Sequence, residues 1–102
     1  MRAALVQLNV GDDPAANLPT TLAFVAEAAR GGAQLVLTPE ATNLLTPDRE
    51  RQRALLRHEA DDPTLAALRA AAAEWGIWLS IGSLSLRHDD PDEPRFVNRS
   101  FL

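Results

Sequence analysis

Leu35-Val36-Leu37-Thr38-Pro39-Glu40 runs three large apolar residues into a threonine, a proline and then a carboxylate. An unbroken apolar run of this length, without alternation, is the pattern of a strand covered by helices on both faces of its sheet. Proline has no N–H to give to the ladder, so pairing should stop at Pro39. Glu40 then stands at the carboxyl end of a strand, where sheets built with helical crossovers place their ligands. A carboxylate at the rim of a hydrophobic sheet is a candidate general base. The alternative is a solvated loop acid or a cap for the next helix.

Outward from this stretch the punctuation is regular. Gly31-Gly32 ends a preceding helix whose apolar face is Leu18, Leu22, Val25 and Ala29. Its start is marked by Gly11-Asp12-Asp13-Pro14. Asn17 is a second possible cap, because Pro19 fits a helix only in its first turn. Before it, Ala3 to Asn9 reads as a first strand. After Glu40, a loop from Ala41 to Pro47 carries Thr42, Asn43 and Thr46, and Asp48 is a possible cap for a short helix reaching about Glu59, with Leu55 and Leu56 as its buried contacts. Asp62-Pro63 starts another helix, with Leu65, Leu68, Ala72 and Trp75 on its apolar face and Gly76 closing it. Ile77 to Leu86 is a third strand, and Phe96 to Leu102 a fourth beyond a short acidic connection. The order β-α-β-(α)-α-β-β implies three parallel strands with right-handed crossovers, then a hairpin that makes the sheet mixed. Trp75 and Trp78 are expected to pack between helix and sheet. Gly82, inside a strand, marks close approach of another backbone or a ligand.

Composition removes several function classes. The chain has 102 residues, 46% hydrophobic and 24% charged, with a net charge of -4. That is a globular composition without a basic stripe, so nucleic acid is not an expected partner. Arg49, Arg51 and Arg53 cluster, but Asp48, Glu50 and Glu59 dilute them into the solvated face of a helix. No cysteine is present, so neither a disulfide framework nor a thiolate metal site can form. His58 and His88 have no companion at ligand spacing, and no metal is expected. The apolar stretch Ala3 to Val10 is too short and too polar to span a bilayer. No membrane partner is expected, and the cytoplasm is the default location. Lysine is absent too, and the chain stops inside a strand-like run. Residues 1–102 are therefore expected to be the amino-terminal part of a longer single domain.

Two acidic constellations fail on their own chemistry. Asp12 and Asp13 resemble the acidic pair of a signalling receiver domain, but the phosphoacceptor aspartate and lysine such a domain needs are missing, which leaves helix capping. Glu40 as the ribose acid of a dinucleotide fold requires Gly-x-Gly-x-x-Gly after the first strand; here Gly11 is followed by two aspartates that would repel a pyrophosphate.

Taken in order, Gln7, Asn17, Gly32-Ala33-Gln34-Leu35-Val36, Pro39-Glu40, Gly76-Ile77-Trp78-Leu79-Ser80-Ile81-Gly82-Ser83 and Asn98-Arg99-Ser100 resemble the start of the nitrilase, or carbon–nitrogen hydrolase, superfamily. Pro39-Glu40-Ala41 with Gly76 to Ser80 is most similar to the amidases of deaminated glutathione, with the omega-amidases as the nearest alternative. The resemblance implies an α+β fold, the α-β-β-α sandwich, of which this chain supplies the first β-α-β-α-β-β part. It implies an amidase acting on a small-molecule amide through a Glu-Lys-Cys triad, with Glu40 in the glutamate role and no cofactor. Asn43, three residues on, is a candidate substrate-binding amide. Pairing into a homodimer is implied for the whole enzyme. The fragment, without lysine or cysteine, is expected to be inactive by itself. The competing reading is a non-catalytic α/β binding or regulatory module, complete at 102 residues.

Overall fold

The computed structural model describes residues 1–102 throughout. In chain order the elements are β1 (Ala3–Leu5), α1 (Pro14–Arg30), β2 (Leu35–Thr38), α2 (Arg49–Leu55), a 3-10 turn (Glu59–Asp61), α3 (Pro63–Trp75), β3 (Trp78–Arg87) and β4 (Phe96–Phe101). One four-stranded sheet has the order β1-β2-β3-β4. The first two pairings are parallel and the last is antiparallel, which is the mixed α+β sheet the sequence implied.

Register explains what is buried. Ala4, Val36 and Leu79 stand in one row and Thr38 pairs with Ile81, so these side chains share a face. Val25 of α1 and Leu65 and Leu68 of α3 pack on that face, with Leu84 and Leu86 continuing the core along β3. The opposite face carries the rows Ala3-Leu35-Trp78 and Leu5-Leu37-Ser80. It is open: Leu5 is 82% exposed and Trp78 64%. Cover on both faces, expected from the unbroken apolar run, is therefore half realised. The cause is topological, since the strands advance in one direction and two right-handed crossovers in that direction place both helices on the same side. Trp78 departs from the packing role expected of it for the same reason, whereas Trp75 does pack against the core. No helix is long and apolar enough to cross a membrane.

The helix ends follow the capping chemistry. Asp13 accepts from the Ala15 N–H at 3.0 Å, with Pro14 at the first helical position. Asn17 is thus not the cap of α1, and Pro19 is the sixth residue of the helix. Its missing donor would have faced the carbonyl of exposed Ala15, which water can satisfy. Asp62 accepts from the Leu65 N–H at 2.8 Å, with Pro63 following, and Gly76 closes α3 at φ 62°.

Asp62 carries a pH prediction. Burial pushes its carboxyl above the ordinary 3.8, while the backbone N–H groups of Leu65 and Thr64 and the Arg57 charge pull less strongly the other way. A folded pKa above the unfolded one means that the native state binds the proton more tightly. The Asp62 contribution is therefore most favourable below the unfolded pKa and is lost as pH climbs through the raised folded value. Asparagine caps a helix about as well as aspartate and does not titrate. Asp62→Asn is expected to melt at or above the wild-type temperature at pH 7 and to flatten the stability profile just above pH 4. Melting several degrees lower at pH 7 contradicts this.

Candidate functional site

At the end of β2 the chain passes against the middle of β3 and is fastened there. The Ser83 N–H donates to the Pro39 carbonyl at 3.3 Å, and the Thr42 N–H donates to the Ser83 carbonyl at 3.0 Å. The Ala41 N–H donates to Ser83 Oγ at 2.9 Å. Thr42 Oγ1 lies 2.6 Å from the Pro39 carbonyl oxygen and 2.9 Å from Thr38 Oγ1. Ala41 sits at φ 52°, the left-handed region that a side chain rarely enters. That one residue turns the chain so that Thr42 and Asn43 point inward while Glu40 stays exposed.

The crossing depends on Gly82. A Cβ there would lie 2.5 Å from the Thr38 carbonyl oxygen and 2.5 Å from the Pro39 carbonyl carbon. The register of β3 against β4 also shifts between Ile81 and Leu84, a local irregularity that re-aims Gly82 and Ser83 toward the Glu40 loop. The close backbone approach expected from a glycine inside a strand is what the structure shows.

Asn43 holds the rest of the loop. It is 2% exposed, and its amide makes a reciprocal pair with Ser85: Nδ2 donates to the Ser85 carbonyl at 2.9 Å, and Oδ1 accepts from the Ser85 N–H at 2.9 Å. The Asn17 side chain donates from Nδ2 to the Asn43 carbonyl at 2.9 Å and to the Gly11 carbonyl at 2.9 Å. The Leu45 N–H donates to the Gly11 carbonyl at 3.1 Å, and Gln52 Nε2 to the Thr46 carbonyl at 2.7 Å. The turn before α1, the loop after β2 and α2 are thus one hydrogen-bonded unit. Arg51 strengthens it, with Nε 2.7 Å from the Asp12 carbonyl oxygen and 3.2 Å from its carboxylate. The two neighbouring aspartates divide the work: Asp13 caps α1 and Asp12 receives Arg51.

Truncating Asn43 to alanine removes the partners of the Ser85 N–H and carbonyl at once. At about 1–3 kcal/mol for each polar group left unsatisfied, Asn43→Ala in the full-length protein should lower stability by about 2–6 kcal/mol, read from the urea midpoint. A midpoint unchanged from wild type would show that water replaces the amide freely.

The Glu40 carboxylate takes part in none of the four ion pairs of the chain and remains available to another group. A depression of about 450 Å³ lies where the far end of the loop, at Pro47, meets α2, β3 and β4; Arg49, Gln52, Ser85, Arg95 and Asn98 are among its lining, and Glu40 is not. Of the two guanidinium groups in its lining, Arg95 is already held by the Glu93 carboxylate at 2.7 and 3.0 Å, and Arg49 joins no ion pair. A second cleft, apolar and about 210 Å³, lies between α3 and the Trp78 end of β3, and no residue of the Glu40 loop lines it. No three His, Cys, Asp or Glu side chains converge as a metal site would require. Ser83, Ser85 and Asn17 were not singled out as parts of this site by the sequence, since their partners lie from 26 to 42 residues away; Gly82 was the one local sign that a backbone passes there.

The carbon-nitrogen hydrolase family model matches residues 2–102. A hydrolase of Mycobacterium tuberculosis is 43% identical over 84 residues, covering 80% of this chain and 28% of its own length. The deaminated glutathione amidase of Bos taurus is 33% identical over 94 residues, covering 92% of this chain and 28% of its own length. Among solved structures, an amidase from Nesterenkonia sp. superposes with a TM-score of 0.69 at 34% identity, covering 86% of this chain and 33% of its own. That amidase, described as a nitrilase-superfamily member, has been solved as variants in complex with acrylamide and with butyramide. The chain spans about a third or less of the length of these relatives. A family match across nearly all of the chain, on a sheet whose second strand delivers Pro39-Glu40 to a fastened loop, leaves one conclusion: the chain belongs to the carbon–nitrogen hydrolase family.

Proposed function

We propose that residues 1–102 are the amino-terminal part of a single amidase domain and that Glu40 is its general base. The observation that carries this reading is the placement of Glu40: an unpaired carboxylate at the carboxyl end of a parallel strand, on a loop hydrogen-bonded to the neighbouring strand on both sides of it. In the reaction, Glu40 takes the proton of a cysteine thiol supplied by the rest of the protein. The thiolate attacks the amide carbon, the carboxylic acid form of Glu40 returns the proton to departing ammonia, and a thioester remains. Glu40 then accepts a proton from water as that water cleaves the thioester, releasing the carboxylic acid and restoring the thiol. A lysine, again outside this chain, would stabilise the oxyanion in each tetrahedral step.

Two features support completion of the site by further chain. Glu40 is exposed here, whereas charge development in a transition state is best stabilised in a site closed to water. The sheet face carrying Leu5, Leu35, Leu37 and Trp78 also lacks cover, as a face awaiting a second layer would. In this reading Asn43 acts by holding the loop through Ser85, with its amide committed to the chain and not to substrate. The substrate is a small-molecule amide, as the likeness to the Nesterenkonia amidase, solved with butyramide, supports. Pairing of two copies belongs to the same reading and comes from the family resemblance; cytoplasmic action is carried over as the default location.

The test is ammonia release by the full-length protein from a panel of primary amides, butyramide and carboxylate-bearing amides among them. Turnover of at least one is expected, and none from the 1–102 chain, which has no thiol. A full-length protein inactive on every amide, or a 1–102 chain that hydrolyses one, sinks the reading.

A further inference from the structure

The two peptide planes that meet at the Cα of Glu40 are both tied to one residue of β3. The plane before it contains the Pro39 carbonyl, which accepts from the Ser83 N–H at 3.3 Å. The plane after it contains the Ala41 N–H, which donates to Ser83 Oγ at 2.9 Å. Each peptide unit is rigid, so only φ and ψ of Glu40 lie between the two planes. Holding both planes fixes both torsions, and with them the direction in which the Glu40 side chain leaves the backbone. Ser83 is 5% exposed, so these bonds face little competition from water.

We propose that Ser83 is a positioning residue for Glu40, and that its hydroxyl sets the aim of the carboxylate. This rests on the reading of Glu40 as the general base. Of the three links that Ser83 makes to the loop, those through its N–H and carbonyl are backbone bonds and survive substitution. Only the hydroxyl depends on residue type, and it holds the amide of Ala41, the residue at φ 52°. An alanine enters that region against steric resistance from its own Cβ. Released from the hydroxyl, Ala41 relaxes toward an ordinary conformation, the plane between residues 40 and 41 rotates, and the carboxylate leaves the line of the proton it must accept. Geometry of that kind is expensive to lose, because a misplacement of about 1 Å can cost about 10²-fold in rate.

The experiment compares Ser83→Ala, Ser83→Thr and Glu40→Gln in the full-length protein, on the amide of the panel above that the wild type hydrolyses fastest. Ser83→Ala is expected to lower kcat about 10-fold or more with KM within about twofold and a melting temperature lower by only a few degrees, as loss of one hydrogen bond to an aligned group implies. Ser83→Thr keeps the acceptor oxygen and is expected to recover most of the lost kcat. A Ser83→Ala protein with wild-type kcat overturns the proposal, as does one whose whole defect lies in KM, or a normally folded Ser83→Thr no faster than Ser83→Ala. The underlying reading fails separately: Glu40→Gln with near wild-type turnover removes the base assignment and this role together. An inactive Glu40→Gln beside a fully active Ser83→Ala removes only the role of Ser83.

Discussion

Glu40→Gln in the full-length protein is expected to cut kcat on amides by about 10³-fold, with the fold intact and KM changed by no more than a few-fold. Glutamine has the same shape and keeps a hydrogen-bonding oxygen, but it cannot take a proton from a thiol. General acid–base assistance is worth about 10²–10⁴ in rate, which at 1.36 kcal/mol per decade is about 3–5 kcal/mol of barrier. Glu40 is used more than once in each cycle, so the loss should lie above the lower end of that range. Stability should hardly move, because the side chain is exposed and joins none of the four ion pairs. Glu40→Asp tests geometry where Glu40→Gln tests chemistry. It retains a proton acceptor but withdraws it by one methylene, and displacement of that order is expected to cost about 10² in rate. Ammonia release and a thermal melt on the same preparations decide the matter. Turnover within tenfold of wild type for Glu40→Gln would end the assignment.

Local chemistry made the skeleton of this site legible in the sequence. An apolar run stopped by Pro39 places Glu40 at a strand end without any knowledge of the partners of that strand, because a missing donor ends a ladder wherever the ladder lies. Asp62-Pro63 and Gly76 bracket α3 correctly, since caps and left-handed closures are satisfied within a few residues. The start of α1 was ambiguous because Asp13 and Asn17 are both competent caps. Tertiary contacts resolve it: Asn17 is drawn away to Gly11 and Asn43. β1 is shorter than its apolar stretch, ending at Leu5 with one further bond from the Val6 N–H to Leu37. Hydrophobicity alone does not say how far a neighbour extends. Trp78 read as a packing residue and is exposed, because an apolar pattern reports a need for cover and not the element that provides it. The fastening of Glu40 by Ser83 was illegible for a plainer reason. It joins residues 42 apart through one hydroxyl, and a serine in a strand looks the same whether its oxygen is used or not.

Gly82→Ala is expected to be the most damaging single-methyl change in this chain. The added Cβ would stand 2.5 Å from the Thr38 carbonyl oxygen, 2.5 Å from the Pro39 carbonyl carbon and 2.6 Å from the Pro39 carbonyl oxygen. Every one of these is a backbone atom, so no side-chain rotamer can relieve the contact. Either β3 moves away from the end of β2, or the Pro39 peptide lifts off β3 and breaks its bond with the Ser83 N–H. Overpacking a core with flexible neighbours costs about 1–3 kcal/mol, and more when relief is blocked, so about 3 kcal/mol or more is expected here. In a full-length protein of a few hundred residues that corresponds to a melting temperature lower by about 6 °C or more. Gly76 provides the internal control. A Cβ at Gly76 meets nothing within 4 Å, and only φ 62° opposes it. Gly76→Ala should therefore cost only about 1–2 kcal/mol, the ordinary price of a left-handed alanine. The two variants also part in function: Gly82→Ala displaces the peptide that carries Glu40 and should lose turnover even below its melting point, whereas Gly76→Ala, at the far end of α3, should keep it. Equal destabilisation by the two alanines, or a Gly82→Ala protein that melts and turns over like wild type, would mean that the Thr38–Pro39 backbone does not lie as tightly against Gly82 as these distances require.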